Sequence, residues 1–287
     1  MNRIARWLGS VSVAVLALTG SAACPAAADA GANAKPEAEL TVQQILERHV
    51  AARGGAAAWH KIQTMAWTGR IESGPRGISK RPFLLMFRRP AATRFEIIAE
   101  GQRSVRIFDG TQGWKLRSTT AGPPELQDYS AEEISFALDA GGLDGPLIDS
   151  EAKGIEVALL GVDSVEGHRA YHLRVTLQTG HVHDAWIDTQ SFLELRYDRE
   201  TFSAAGVRGI VPVYLRNYQT LEGLVIPALI ETGGPTATDT DKMIIDKIAL
   251  NPEVDAAQFS KPNVPSKHRR GALVNMESPP GARPPGH

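Results

Sequence analysis

The 287-residue chain has one cysteine, Cys24, and it falls within the first thirty residues. Once that segment is removed no disulfide can form, so the folded part must hold together by burial alone. Neither charge is in excess, with 31 basic against 32 acidic side chains. Balance without a basic run excludes nucleic acid as an expected partner and gives no polybasic hold on an anionic membrane. Also missing are G-x-S-x-G, H-E-x-x-H, a phosphate-binding loop and a dinucleotide fingerprint. Asp and Glu are scattered over predicted strand faces and turns, with no pair set for acid–base work. The residues therefore predict no catalytic group, no cofactor and no metal. The apolar run Val11–Leu18 is short for a membrane span, and no span is expected in the mature chain.

What is present begins with an export signal. Arg3 and Arg6 precede Val11–Leu18, and alanine-rich sequence with A-x-A patterns ending at Ala28 and Ala30 follows. Residues 1–30 read as a signal peptide and 31–39 as a small-residue linker. Residues 40–264 read as one domain, and 265–287 as a disordered Pro/Gly-rich tail. An exported chain without cysteines fits a bacterial periplasm. Ser21-Ala22-Ala23-Cys24 resembles a lipoprotein box, which gives the alternative of an outer-membrane lipoprotein anchored through Cys24.

The stretch from Leu84 to Trp114 organises the rest. Leu84–Arg88 is apolar and closes at Pro90. In Arg94–Glu100, Phe95, Ile97 and Ala99 alternate with charged residues, and Ser104–Phe108 returns toward Asp109-Gly110, a hairpin signal. This predicts an antiparallel meander with one dry face. Gln63–Glu72 alternates as well, placing Met65, Trp67 and Ile71 on one side. Beyond Ile155 strand follows strand, joined by short turns at Thr179-Gly180, Asp188–Ser191 and Leu221–Gly223. The fold class is mainly β (α+β): one large curved antiparallel sheet or half-open β-barrel of about ten to eleven strands. Thr119–Gln127 reads as a polar loop.

Two or three short helices are expected to cover the concave face. Thr41 with Gln44, and Ser130 with Glu133, are capping boxes, stapled by Leu40 on Ile45 and Tyr129 on Ile134. Ala56–Lys61 reads as a helical turn, and Leu143–Ser150 as a part-apolar loop lying across the mouth of the sheet. His49 reads as a helix-flank histidine, and Arg88-Arg89 as a solvated strand end.

His168, His172, His181 and His183 cluster in sequence, and a hydrolase or metal enzyme using them is the least favoured reading. With Thr179-Gly180 as a two-residue turn, His172 opposes Ile187 and Thr176 opposes His183. His172 and His183 then share a face but stand roughly 13 Å apart, too far to share a zinc that needs ligand atoms at about 2 Å. The same register sets Tyr171, Leu173, Val175 and Leu177 beside Val182, Asp184, Trp186 and Asp188, with Asp184 near an open edge. The stronger candidate is a cavity wall of Met65, Trp67, Ile71, Phe83, Leu85, Phe87, Phe95, Ile97, Trp114, Leu173 and Trp186.

Three pieces carry a resemblance. Phe87-Arg88-Arg89-Pro90 with Arg94-Phe95, then Phe108-Asp109-Gly110 and Trp114, is similar to the strand, RP, strand, DG, W run of the LolA/LolB-like periplasmic lipoprotein-carrier superfamily. Tyr218–Pro227 resembles the paired strands of its longer, outer-membrane lipoprotein-sorting-like branch. Val254–Phe259 with Pro262 resembles its C-terminal ending. The resemblance implies a half-open barrel plugged by helices, an apolar cavity for acyl chains and no cofactor. The expected protein is an exported monomeric carrier or chaperone that binds a lipid or acylated protein without catalysis. The alternative is an envelope sensor or interaction module with a protein partner at the sheet edge.

Overall fold

The computed structural model describes residues 40–74, 79–99, 101–119, 122–140, 142–202, 208–233 and 240–264. The segments read as signal peptide (1–30, with Cys24), linker (31–39) and tail (265–287) lie outside the described residues. Two helices come first, α1 (Val42–Ala52) and α2 (Ala56–His60). Six strands follow: β1 (Thr64–Ser73), β2 (Ser79–Arg88), β3 (Ala92–Ala99), β4 (Gln102–Phe108), β5 (Gly113–Arg117) and β6 (Glu125–Asp128). After α3 (Ala131–Asp139) come β7 (Glu156–Val165), β8 (His168–Thr176), β9 (Val182–Asp188), β10 (Glu194–Phe202), β11 (Arg208–Leu221), β12 (Leu224–Gly233) and β13 (Thr240–Leu250). A 3-10 turn, Ala256–Phe259, is last.

The strands form one curved antiparallel sheet in the order β6-β5-β4-β3-β2-β1-β13-β12-β11-β10-β9-β8-β7. β6 and β7 are its edges and do not pair, so the sheet is not closed. Among the described residues it has thirteen strands, more than the ten to eleven expected. One extra is β6, which overlaps the end of the Thr119–Gln127 stretch read as a loop. Its four residues show a single apolar side chain, Leu126, too little for a period to register.

Both capping boxes are formed. Gln44 and Glu133 donate their backbone N–H to Thr41 Oγ1 and Ser130 Oγ, and their side chains accept in return from the cap N–H groups. α1 ends against the β11–β12 turn, where Gly54 has φ +103° and an added Cβ would stand 2.2 Å from the Gly223 carbonyl oxygen. Only glycine fits there.

The helices define an inner face. α1 sets Ile45 and Leu46 against Leu173, Val175, Ala185 and Ile187, with Leu147 beside them. α2 sets Trp59 on Met65, Leu224 and Ile226, with Leu143 and Ile148. The Leu143–Ile148 loop thus lies on the inner face, as its apolar residues suggested. Arg89 and Lys153 pin it, each 2.7 Å from the buried Asp144 carboxylate. Arg89 also donates to the Ile62 and Trp59 carbonyls, so it is an internal tie and not a solvated strand end. On the outer face Phe259 packs on Met86 and Ala92.

The β8–β9 register differs from the expected one. Leu177 N donates to His181 O (2.8 Å), leaving a three-residue loop, Gln178–Gly180, with Gly180 at φ +88°. His172 therefore opposes Trp186, and Val175 opposes His183. A slip of one residue turns every side chain of a strand to the other face. Tyr171, Leu173, Val175 and Leu177 share the inner face with His183, Ala185 and Ile187, while Val182, Asp184 and Trp186 face outward beside His172.

Candidate functional site

Cross-strand pairing places eight of the eleven predicted wall residues on one stretch of the inner face. Met65 pairs with Phe87, Trp67 with Leu85, Leu85 with Phe95, and Phe83 with Ile97. Ile71 completes this set, and Ile230, Met243 and Ile248 extend it from β12 and β13. Trp67 meets Phe87 edge-on at 5.3 Å and donates to Met65 Sδ at 2.9 Å. Met65, Ile71 and Phe83 are buried, but Trp67, Leu85, Phe87, Phe95 and Ile97 are only half-buried. The ninth, Leu173, is on the inner face too, but under α1 and fully buried.

Trp114 and Trp186 do not belong to this face. Trp114 pairs with Ile107 and packs with Val105 on the outer side. Trp186 packs with Val165 and Ala170 on the outer side, stacked on His172 at 4.5 Å and under the Arg196 guanidinium at 4.3 Å. Asp184 stands beside Trp186. It accepts from Arg174 at 3.2 Å and lies 3.1 Å from His172 Nε2, a paired outer-face carboxylate rather than an edge group.

A buried polar group gathers at α1, and its one member singled out in the sequence, His49, faces the core and is not a helix-flank residue. His49 is buried and its Nδ1 donates to Phe192 O at 2.9 Å. Burial, with the nearby Arg53 charge, lowers its pKa to about 4. Glu194 is 8% exposed, and burial lifts its carboxyl to about 7 against the opposing pull of Arg53. Tyr218 donates to Glu194 O at 2.8 Å, and its phenol is raised by burial. Nothing in the spacing of Glu194 and Tyr218 marks them, because α1, β10 and β11 bring them together with His49 from distant positions.

The histidines do not converge. His172 is on the outer face 2.9 Å from Asp163, and His183 is on the inner face beside Tyr197. His181 contacts Asp139 of α3 and stacks on Phe136. His168 lies 3.6 Å from Asp188, which accepts from Ser191 Oγ at 2.8 Å. Asp188 stands between serine and histidine, the wrong order for a histidine to take the hydroxyl proton. These groups line or border an open cleft of about 270 Å³ whose walls include Leu193, Leu215 and Tyr218. Among the described residues no three His, Cys, Asp or Glu side chains form a metal-sized group.

No residue of α3 is buried as a whole and Leu138 is 46% exposed, although the Asp139 side chain is only 8% exposed. It is tied at both ends. Lys115 Nζ lies 2.9 Å from both Glu133 carboxylate oxygens, and Asp139 meets Thr179 and His181 in the β8–β9 loop. Burial would raise the Glu133 carboxyl, but hydrogen bonds from Lys115 and Ser130 outweigh it and hold it below the ordinary range.

No family model matches the sequence, and no curated protein is similar to it. Solved structures are. A DUF1329 family protein from Desulfovibrio piger aligns with a TM-score of 0.51 at 12% identity, over 77% of this chain and 98% of that one. A LolA superfamily protein from Nitrosomonas europaea aligns with a TM-score of 0.51 at 14% identity, over 78% and 99%. A domain assigned to outer-membrane lipoprotein sorting, from Vibrio parahaemolyticus, aligns with a TM-score of 0.51 at 10% identity, over 76% and 95%. At these identities the likeness is one of architecture: the chain has a LolA/LolB-like fold.

Proposed function

We propose that this protein is an exported carrier that holds an acyl chain, free or attached to a lipid or protein, on the inner face of β1–β3. The supporting observation is the half-buried inner-face set Trp67, Leu85, Phe87, Phe95 and Ile97, of which only Trp67 and Phe87 pack against the cluster around Trp59 of α2. An acyl chain laid there removes apolar surface from water, at roughly 25 cal/mol per Å² before ordering costs. No catalysis is assigned, because the described histidines and carboxylates are engaged with one another or stand apart. Movement of α3 gates the face. The carrier works in the periplasm, free or tethered through Cys24. Native mass spectrometry and lipid extraction of envelope-purified protein test the reading. The expected result is co-purified lipid and saturable binding of a fluorescent fatty acid; finding neither sinks it.

A second reading is favoured by β7. This ten-residue strand is a sheet edge, with Leu160 44% and Val162 37% exposed and neither lysine nor proline to discourage pairing. An extended segment of an envelope protein would add there as a further strand. Crosslinking in the envelope tests it, with adducts expected from a photoreactive residue at Leu160.

A further inference from the structure

The apolar face does not end at β3 in solvent or in more carbon. Following the pairing outward, Leu85 and Phe95 lead to Arg106 on β4 and then to Lys115 on β5. One row along, Phe83 and Ile97 lead to Ser104 and then Arg117. Paired residues of an antiparallel sheet share a face, so these cations lie on the same surface as the half-buried apolar set. Neighbouring strands are about 4.8 Å apart, which puts the nearest cation one strand from Phe95.

These three cations line an open depression of about 90 Å³ with Ser104 and Gln127. One carboxylate lines it: Glu125, opposite Arg117, keeps its charge while accepting from Gln127 at 2.8 Å. Glu133, beside it, takes Lys115 at 2.9 Å and lies 3.8 Å from Arg106. Arg117 is exposed and has no ion pair among the described residues. Arg106 is also exposed, so both guanidiniums can present their paired N–H groups to an oxyanion.

We infer that the carried amphiphile has an anionic headgroup, with a phosphate or carboxylate, which Arg106, Lys115 and Arg117 receive while its chain lies on β1–β3. This rests on the carrier reading and narrows it. The face is apolar at one end and cationic at the other, on the scale of one lipid. A zwitterionic headgroup brings its own cation to the patch and gains less. Because Glu133 occupies the same cations, an incoming headgroup competes with the tie that holds α3.

Calorimetry on the full chain tests this with three probes: an anionic lysophosphatidylglycerol, a lysophosphatidylcholine of the same chain length, and inorganic phosphate. The first is expected to bind at least tenfold tighter than the second. In Arg106→Gln/Arg117→Gln that preference falls at least fivefold, with lysophosphatidylcholine affinity unchanged, and Arg106→Lys/Arg117→Lys restores most of it. Both positions are exposed, and circular dichroism confirms folding. Equal binding of the two lysolipids, or a preference that survives the glutamine variant, overturns the headgroup assignment and leaves the carrier reading standing. Phosphate bound as tightly as the anionic lysolipid points to a free-anion site and overturns it also. No binding of either lysolipid overturns both.

Discussion

The Arg88 guanidinium lies over the Phe259 ring, 5.7 Å from its centroid. Arg94 Nη1, on the next strand, donates to Gln258 O at 2.8 Å. Two sequence signatures far apart in the chain, the F-R-R-P run and the V-D-A-A-Q-F ending, are thus two sides of one contact. Asp255 starts the 3-10 turn by accepting from Ala257 N, which aims Phe259 at Met86 and Ala92. Phe259 is 2% exposed. Phe259→Ala removes this ring from a packed outer face and should cost about 3–4 kcal/mol, measured by urea unfolding. A change below about 1 kcal/mol would mean the ending does not cover the sheet.

A second prediction concerns pH. Glu194 is buried beside Arg53, Tyr197 and Tyr218, with His49 on the helix above. Its folded pKa of about 7 lies above the ordinary value of 4.5. Its contribution is therefore full below about pH 4.5 and is lost as pH rises through 7. His49 has the opposite sign: with a folded pKa of about 4 against 6.5, its contribution is present above pH 6.5 and is lost as pH falls toward 4. Glu194→Gln should gain on the order of 3 kcal/mol relative to wild type between pH 4 and pH 8. Denaturant midpoints at the two pH values check this, and equal differences at both would refute it.

The outline of the fold was readable because it rests on local signals. The β1–β4 alternation, both capping boxes and the apolar Leu143–Ile148 loop each follow from a few neighbouring residues. The failures are where one residue decides. A three-residue loop at Gln178–Gly180 in place of a two-residue turn reversed the facing of β9, carrying Trp186 outward. The bulk of Trp114 suggests an inward place, but its partner Ile107 alternates away from Phe108 and belongs to the outer set. Glu194, Tyr218 and the cations of β4 and β5 left no signature, since each is one polar residue in an ordinary alternating strand.

Stability and binding should separate among the inner-face residues. Phe95 is half-buried, so Phe95→Glu should cost only about 1 kcal/mol while lowering affinity for a fluorescent fatty acid at least tenfold. Leu173 is fully buried under α1, and Leu173→Ala should cost about 2–5 kcal/mol while leaving the affinity of the folded protein unchanged. Thermal melts and fluorescence titrations on both variants make the comparison. If Leu173→Ala weakens binding and Phe95→Glu does not, the ligand lies under α1 and not on β1–β3.

The last prediction follows from how little holds α3. It buries no apolar side chain, and its N-terminal end depends on Glu133, which closes the capping box and carries Lys115. A cap contributes about 1 kcal/mol, and a half-exposed ion pair up to about 1 kcal/mol more. Glu133→Ala should therefore speed amide exchange across α3 by roughly tenfold or more, since 1.4 kcal/mol is a factor of ten. The rest of the molecule should keep its protection, because the α1 and α2 packing does not involve α3. Hydrogen exchange read by mass spectrometry checks both halves. Removing Glu133 also frees Lys115 and Arg106, so an anionic lysolipid should bind the variant more tightly and exchange faster. A variant whose α3 protection is unchanged would show that the helix is held by something other than this tie, and that it does not gate the face.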